Sequence, residues 1–284
     1  MSNNVDFHIH SYYSDDGEFS PSTLVEMCAN SKIDFMAISD HNTVAGIDEA
    51  MEKAKQLNIH CYPAIEIDCH YKGMNFHVLG YDINYKSVDF KMIERNIRKQ
   101  CKQVSKKRLQ LINELGFSLT DTDLNIITAN NYWCEHWTGE TFAEALLGKK
   151  EYLTNALLKP YRNDGIRGDN PYVNFYWDYC SQGKLCYVDI TYPTMQEIIH
   201  IIHTNGGEAI LAHPEINLNG NYDMLDELIE LGLDGLEAFS SYHDIITSKR
   251  FHKKTTEKGI SATRGSDFHG KTKPTIELGC CCKI

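Results

Sequence analysis

Along the chain, short apolar runs alternate with longer stretches in which apolar positions recur every three or four residues. In the first part, Val5–Ile9, Asp34–Ser39, His60–Ile67 and Asn75–Tyr81 are short and rich in Val, Ile, Phe and Tyr, and predict strands. Between them, Pro21–Ser31 and Thr43–Leu57 predict helices. The first has Ser20 placed as N-cap ahead of Pro21, with Leu24, Val25 and Cys28 on one face. A second block opens at Thr194 with a helix to Asn205, the strand Glu208–Ala212 and a helix Tyr222–Leu231 ended by Gly232. The strand Gly235–Phe239, a helix from about Asp244 to Lys258 ended by Gly259, and the strand Ile260–Thr263 complete it. Alternation of this kind predicts a parallel α/β sheet or barrel.

The rhythm breaks between residues 85 and 185. That stretch opens with a long predicted helix, Val88–Leu115, stopped by Gly116. It continues through aromatic and polar segments such as Tyr132–Trp137 and Tyr172–Tyr179 with little β character. The division that follows is one α/β unit made of residues 1–84 and 186–284, interrupted by a mainly helical, substrate-facing insertion at 85–185.

Composition narrows the class. With 284 residues, 42% hydrophobic and 24% charged, the chain has the make-up of a globular protein and excludes disordered or collagen-like structure. Against 28 basic residues stand 39 acidic ones, a net charge of −11, so contact with a polyanion has to be local. No apolar run approaches the ~20 residues of a membrane span, and Met1–Val5 lacks the layout of a signal peptide. The expected location is the cytoplasm. Of ten cysteines, seven are scattered singly and Cys280–Cys282 are consecutive, with no C-x-x-C pair. They read as reduced thiols without chemistry, the triplet as an edge strand or frayed tail.

Candidate chemistry lies in the histidines. In Asp6-Phe7-His8-Ile9-His10, alternate residues of a strand share a face, which aligns Asp6, His8 and His10. Asp15 follows in a loop, and the second strand ends in Asp40-His41. The third carries Glu66, the fourth carries His77, the fifth runs into His213-Pro214, and the last leads to Asp267-Phe268-His269. Six histidines and three carboxylates thus fall at equivalent places, at or near strand ends, where parallel α/β barrels build their sites. His60, His70, His136, His200, His203 and His252 fall outside this pattern and are expected to be structural. Nine ligands exceed one ion's needs and imply two or three. Their mixed imidazole and carboxylate character, without Cys, favours Mn²⁺, Fe²⁺ or Zn²⁺ over Mg²⁺.

These segments resemble the polymerase and histidinol phosphatase (PHP) family. The likeness rests on His8-Ile9-His10 with Ser14-Asp15, Ser39-Asp40-His41, Ile65-Glu66, His77 to Tyr81, Ala212-His213-Pro214 and Ser266-Asp267-Phe268-His269, and spans both α/β blocks. Phe175–Val188 and Ser240–His243 further resemble its nucleotide-hydrolysing branch. Ala64, where a Gly often precedes the Ile-Glu pair, and Arg264, where a small residue is common, depart from the pattern without removing a ligand. The resemblance implies a distorted seven-stranded (β/α) barrel of PHP type. It implies one ion on His8, His10, Glu66 and Asp267, a second on Asp15, His41 and His269, and a third on Glu66, His77 and His213, with Glu66 bridging. Asp6 and Asp40 would then steady ligand imidazoles or cap strand ends.

The expected activity is hydrolysis of nucleotide phosphate esters by metal-bound hydroxide, with Asp267 in the reacting centre and His243 as acid for the leaving oxygen. The substrate would be a 5′-nucleotide, a nucleoside 3′,5′-bisphosphate or the 5′ end of a short single-stranded RNA or DNA. Phosphatase and exonuclease both stay open. Arg108, Lys184, His243 and Arg264 are the candidates for gripping phosphate. The run Arg95 to Arg108 puts seven cations in fourteen residues, with Arg95, Lys99, Lys102 and Lys106 on one helical face. Two competing readings are a histidinol or sugar phosphate phosphatase, and a non-enzymatic metal-binding regulatory module. The second predicts gaps in the ligand set, and none is found. No membrane or obligate protein partner is expected.

Overall fold

The computed structural model describes residues 4–283. Its centre is a seven-stranded sheet in the order β1 (Val5–Ile9), β2 (Phe35–Ile38), β3 (His60–Tyr71), β4 (Met74–Tyr81), β5 (Glu208–Leu211), β6 (Gly235–Ser240) and β7 (Ser261–Gly265). Main-chain bonds from His10 N to Phe268 O (2.9 Å) and from Asp267 N to His8 O (2.8 Å) bring its two edges together as a nearly closed barrel.

The expected all-parallel arrangement holds except at β4, which runs antiparallel to both β3 and β5. β3 is longer than its apolar run suggested. Beyond Ile67 it continues to Tyr71 and turns tightly through Lys72 and Gly73, both at positive φ, into β4. Polar Asp68 and His70 masked the continuation, yet Ile65, Ile67 and Cys69 alternate with them and pack outward with Phe76 and Val78.

The inward set of residues follows the same period of two. Ala64, Leu79, Tyr81, Ile210, Ala212 and Ala37 form a small apolar cluster. One step along each strand from it lie Glu66 on β3 and His77 on β4. On β3 the ligand follows the apolar residue; on β4 it precedes it. The reversed direction of β4 delivers His77 to the end of the barrel that holds Glu66.

Helices α1 (Pro21–Asn30) and α2 (Ile47–Leu57) pack outside β1 and β2 through Leu24, Val25, Cys28, Ala50 and Ala54. Ser20 caps α1 as expected, its hydroxyl accepting the Thr23 amide at 3.1 Å. Between β4 and β5 no strand occurs among the described residues. The segment instead folds as α3 (Val88–Glu114), α4 (Asp121–Thr128), α5 (Gly139–Gly148), short 3₁₀ turns, α6 (Pro171–Phe175) with a π turn over Tyr176–Cys180, and α7 (Met195–Thr204). Ile112, Phe117, Leu124, Trp137, Phe142, Phe175 and Cys186 form a core of their own there. α3 joins the two cores, because Phe90, Ile93, Ile97 and Cys101 in its first half pack with β3, β4 and α7.

After β5, α8 (Pro214–Leu218) is a short helix that the sequence did not suggest, followed by α9 (Met224–Glu230) and α10 (Ile245–Lys258). The consecutive cysteines form neither strand nor frayed tail. Cys280–Lys283 is a 3₁₀ turn, with Cys281 buried and its thiol on the Gly265 carbonyl at 3.2 Å. No helix among the described residues is long and apolar enough to cross a membrane.

Candidate metal centre

Glu66 is the hub of the barrel's ligand-bearing end. Its Oε2 lies 3.0 Å from His8 Nε2, 3.2 Å from His10 Nε2 and 3.4 Å from His41 Nδ1. Its Oε1 lies 3.0 Å from both His77 Nδ1 and His213 Nε2. Asp267 Oδ1 faces His8 Nε2 at 3.3 Å and His10 Nε2 at 3.1 Å. Three groups of donor atoms close enough to share an ion result: His8, His10, Glu66 and Asp267; His10, Asp16, His41 and His269; and His41, Glu66 and His77. His213 adjoins the third through Glu66. Eight of the nine expected ligands are therefore brought together.

The ninth, Asp15, is not in these groups. The loop that carries it is tight: a Cβ at Gly17 would lie 2.0 Å from the Ser11 carbonyl, just beyond the end of β1. The residue next to this glycine, Asp16, faces His269 Nε2 at 3.2 Å, while Asp15 turns to His136 Nδ1 at 2.8 Å. His136, expected to be structural, thus lines the cleft between barrel and insertion. The Asp-Gly step in Asp15-Asp16-Gly17 was the available signal.

The donors fit divalent cations. His10 Nε2, His41 Nδ1, His269 Nε2 and Asp16 Oδ1 are buried without an aligned hydrogen bond, the rings facing carboxylate oxygens 3.1–3.4 Å away, an arrangement costly to a folded chain unless a cation is shared among them. Several rings are held by their other nitrogen: His8 Nδ1 by Glu237 Oε1 at 2.8 Å, His213 Nδ1 by Asn217 Oδ1 at 2.8 Å, and His269 Nδ1 by the Asp267 carbonyl at 2.8 Å. A ring that donates through Nδ1 presents the lone pair of Nε2. The charge balance is also suited to cations. Burial opposes a charged His8, but Glu66, Glu237 and Asp267 outweigh it and hold its pKa well above the usual value; His77 behaves likewise beside Glu66 and Asp68. Asp267 and His213 have positive φ, +57° and +23°, the kind of backbone strain that concentrates at functional sites.

Glu237 was not singled out from the sequence, although a lone carboxylate in the apolar run Gly235-Leu236-Glu237-Ala238-Phe239 signals a buried partner. Its second oxygen accepts the His213 amide at 2.8 Å. Lys273 was also missed. Its buried ammonium lies 2.5 Å from Asp267 Oδ2, and the Tyr242 hydroxyl donates to the same oxygen at 2.7 Å. Asp6 and Asp40 touch no ligand ring. Asp6 accepts the Ser266 and Gly279 amides at 2.8 and 2.7 Å, and Asp40 accepts the Ser11 amide and hydroxyl at 2.6 and 2.7 Å. They clamp backbone, and burial pushes both carboxyls up to about 6.

The phosphate candidates divide. Arg108 lines the cleft, buried, with one guanidinium nitrogen on the Trp137 carbonyl at 2.7 Å and Nε unpartnered; no carboxylate pairs with it among the described residues. Lys184 is exposed on a turn and does not line the cleft. Arg264 is directed away from it, because its neighbour Gly265 faces His8 and strand residues alternate. Its guanidinium packs over the Phe239 ring instead. His243 is buried outside the cleft. Its Nδ1 donates to the Ala238 carbonyl at 3.1 Å, its Nε2 accepts the Glu215 amide at 3.4 Å, and burial lowers its pKa, so both ring nitrogens are engaged within the fold. Across the cleft, the insertion contributes Tyr176, Trp177 and Glu140, the last pushed up to about 8 by burial and by Asp16.

The chain is 25% identical to the phosphoribosyl 1,2-cyclic phosphate 1,2-diphosphodiesterase of Eggerthella lenta, over 94% of each chain. It is 27% identical to a 5′-3′ exoribonuclease of Haemophilus influenzae, over 95% of this chain and 91% of that one. A Bifidobacterium adolescentis structure assigned as a metal-dependent phosphoesterase superposes with a TM-score of 0.77 at 25% identity, covering 99% of this chain and 92% of the other. Residues 6–203 match the PHP domain family, most of the barrel's ligand positions among them, and the chain belongs to that family.

Proposed function

We propose that this protein is a metal-dependent hydrolase of nucleotide phosphate esters. Two or three ions of Mn²⁺, Fe²⁺ or Zn²⁺ would be held by His8, His10, Asp16, His41, Glu66, His77, His213, Asp267 and His269. The observation that carries the reading is the set of buried, unpartnered imidazole and carboxylate atoms around Glu66. Bound there, such ions would supply Lewis acidity toward phosphoryl oxygens and activate water.

The chain's own residues do the rest. Lys273 and Tyr242 hold one oxygen of Asp267 so that the other is turned to His8 and His10. Arg108, a buried cation that no carboxylate pairs with among the described residues, is suited to an anionic group entering the cleft. Tyr176 and Trp177 give the insertion side aromatic surface against which a base can rest. The relatives named above act on a cyclic phosphate diester and on RNA, which supports a phosphoester substrate with a nucleoside-like body.

The test is turnover of AMP, adenosine 3′,5′-bisphosphate, 5′-phosphorylated RNA and DNA oligonucleotides and histidinol phosphate, with Mn²⁺ supplied. Hydrolysis of one or more nucleotide substrates, abolished by a chelator, is expected. Preference for histidinol phosphate over every nucleotide, or no turnover by metal-loaded protein, would overturn the reading.

A further inference from the structure

We infer that the first half of α3 carries a second anion-binding site, a track for the trailing phosphates of a single-stranded polynucleotide whose 5′ end lies at the metal centre. The inference rests on the proposed phosphoesterase reading and extends it to long substrates.

Seven cations crowd residues 95–108 in a chain of net charge −11, and most are already engaged. Arg98 bonds Glu94 at 2.9 Å, Lys102 bonds Glu135 at 3.0 Å, Lys106 bonds Asp121, and Lys107 bonds the Gln110 side chain. Lys102 and Lys106 therefore do not join the free basic face that their spacing suggested. Of the seven, Arg95 and Lys99 are left over, and Lys91 one turn earlier joins them: all three are exposed, with no carboxylate or ring partner among the described residues. At positions i, i+4 and i+8 they stand one turn apart and span about 12 Å of helix. A row of that length matches successive phosphates of a chain better than a single phosphate.

The row is set in a groove. Lys91, Arg95 and Lys99 line a depression of about 630 Å³ whose walls include Tyr85, Tyr132 and the Val44-Ala45 step. That is within the size range of ligand pockets. The two carboxylates on its wall are neutralised, Asp48 by Lys86 and Glu94 by Arg98. Five cations against two carboxylates leave the groove at about +3. Rings beside a basic groove are the usual composition of a single-strand track.

One short segment links the two sites. His41 faces the metal cleft while Val44 and Ala45 face the groove, and the Thr43 hydroxyl between them ties the segment to Glu94 of α3 at 2.7 Å.

The experiment substitutes Lys91→Gln, Arg95→Gln and Lys99→Gln together in the full chain. Binding of a labelled single-stranded decanucleotide is followed across salt concentrations in an Asp267→Asn background, so that the probe survives. Hydrolysis is measured separately with Asp267 intact. Losing three phosphate contacts should make the slope of log affinity against log salt shallower by about 2, since each contact contributes roughly 0.7 on single strands. kcat/KM for the decanucleotide should fall while that for a mononucleotide holds. Unchanged affinity and slope would overturn the track, as would a duplex binding as tightly as the single strand. Equal competition by poly-glutamate of matched charge would overturn it too. Altered binding in a protein that cleaves no phosphoester would leave the track standing and remove the proposed activity.

Discussion

Lys273 Nζ lies 2.5 Å from Asp267 Oδ2, and both groups are almost fully buried at the mouth of the barrel. Burial works against the lysine's charge, yet Asp267 holds its pKa well above the usual range, so the pair is ionised. The carboxylate is thereby divided: Oδ2 belongs to Lys273 and Tyr242, while Oδ1 belongs to the histidines of β1.

Lys273→Met should free Asp267 to rotate or to offer both oxygens to an ion. Groups that orient metal ligands typically account for about 10–100-fold in activity or affinity. We expect kcat to drop by that order with metal content preserved, measured by elemental analysis beside steady-state kinetics. Normal kcat would show that the pair only supports the fold.

Asp15 and Asp16 should separate cleanly. Asp16→Asn removes the one carboxylate from the group with His10, His41 and His269. We expect it to retain at least one ion fewer than the parent after dialysis and to lose activity by about 100-fold or more. Asp15→Asn breaks only the contact with His136 and should keep its metal. The reverse outcome would return Asp15 to the ligand set.

Metal removal should also be visible without any substrate. Glu66 and Asp267 are buried together and Asp16 stands in the neighbouring donor group that shares His10, and an ion that binds only the folded chain stabilises it by about 4 kcal/mol at 1,000 times its Kd. Chelation should lower Tm and Mn²⁺ should restore it, with two or three ions bound per chain. At most one ion after loading would contradict the cluster.

Gly265→Ala tests how tightly the ring is closed. The new Cβ would stand 2.1 Å from the Cβ of His8 and 2.7 Å from Glu237 Oε1. Overpacking of this kind costs about 1–3 kcal/mol or more, and here it also displaces a ligand. An unchanged unfolding midpoint and metal content would mean that the strands part easily.

Much of the chemistry was legible because it is written in residue identity and short spacing. His8 and His10 share a face by strand geometry alone, and Asp267 and His269 stand two apart after the last strand. What one residue of loop geometry decides was not legible. Asp15 and Asp16 carry the same side chain, and which of them points at His269 depends on the fold of a loop held by Gly17 against Ser11 and by Thr272 on the Asp16 carbonyl. Arg264 and His243 were expected to reach phosphate, the second because its loop was expected to face the site, but strand alternation turns the first outward, and the Ala238 carbonyl and Glu215 amide occupy the second.

Residue pattern alone was enough for the α/β class, the helical interruption, the family and eight of the nine residues proposed above as metal ligands. Periodicity and local spacing act over a few residues and need no partner. Tertiary structure alone decided that β4 runs backwards, that Glu66 is the hub on which five histidines converge, that Glu237 and Lys273 brace the ligands, and which cations of α3 remain free. Each of these depends on what stands opposite a side chain across the sheet or the cleft. Glu66 meets His213 at 3.0 Å across 147 residues of chain, a separation over which no local pattern carries information.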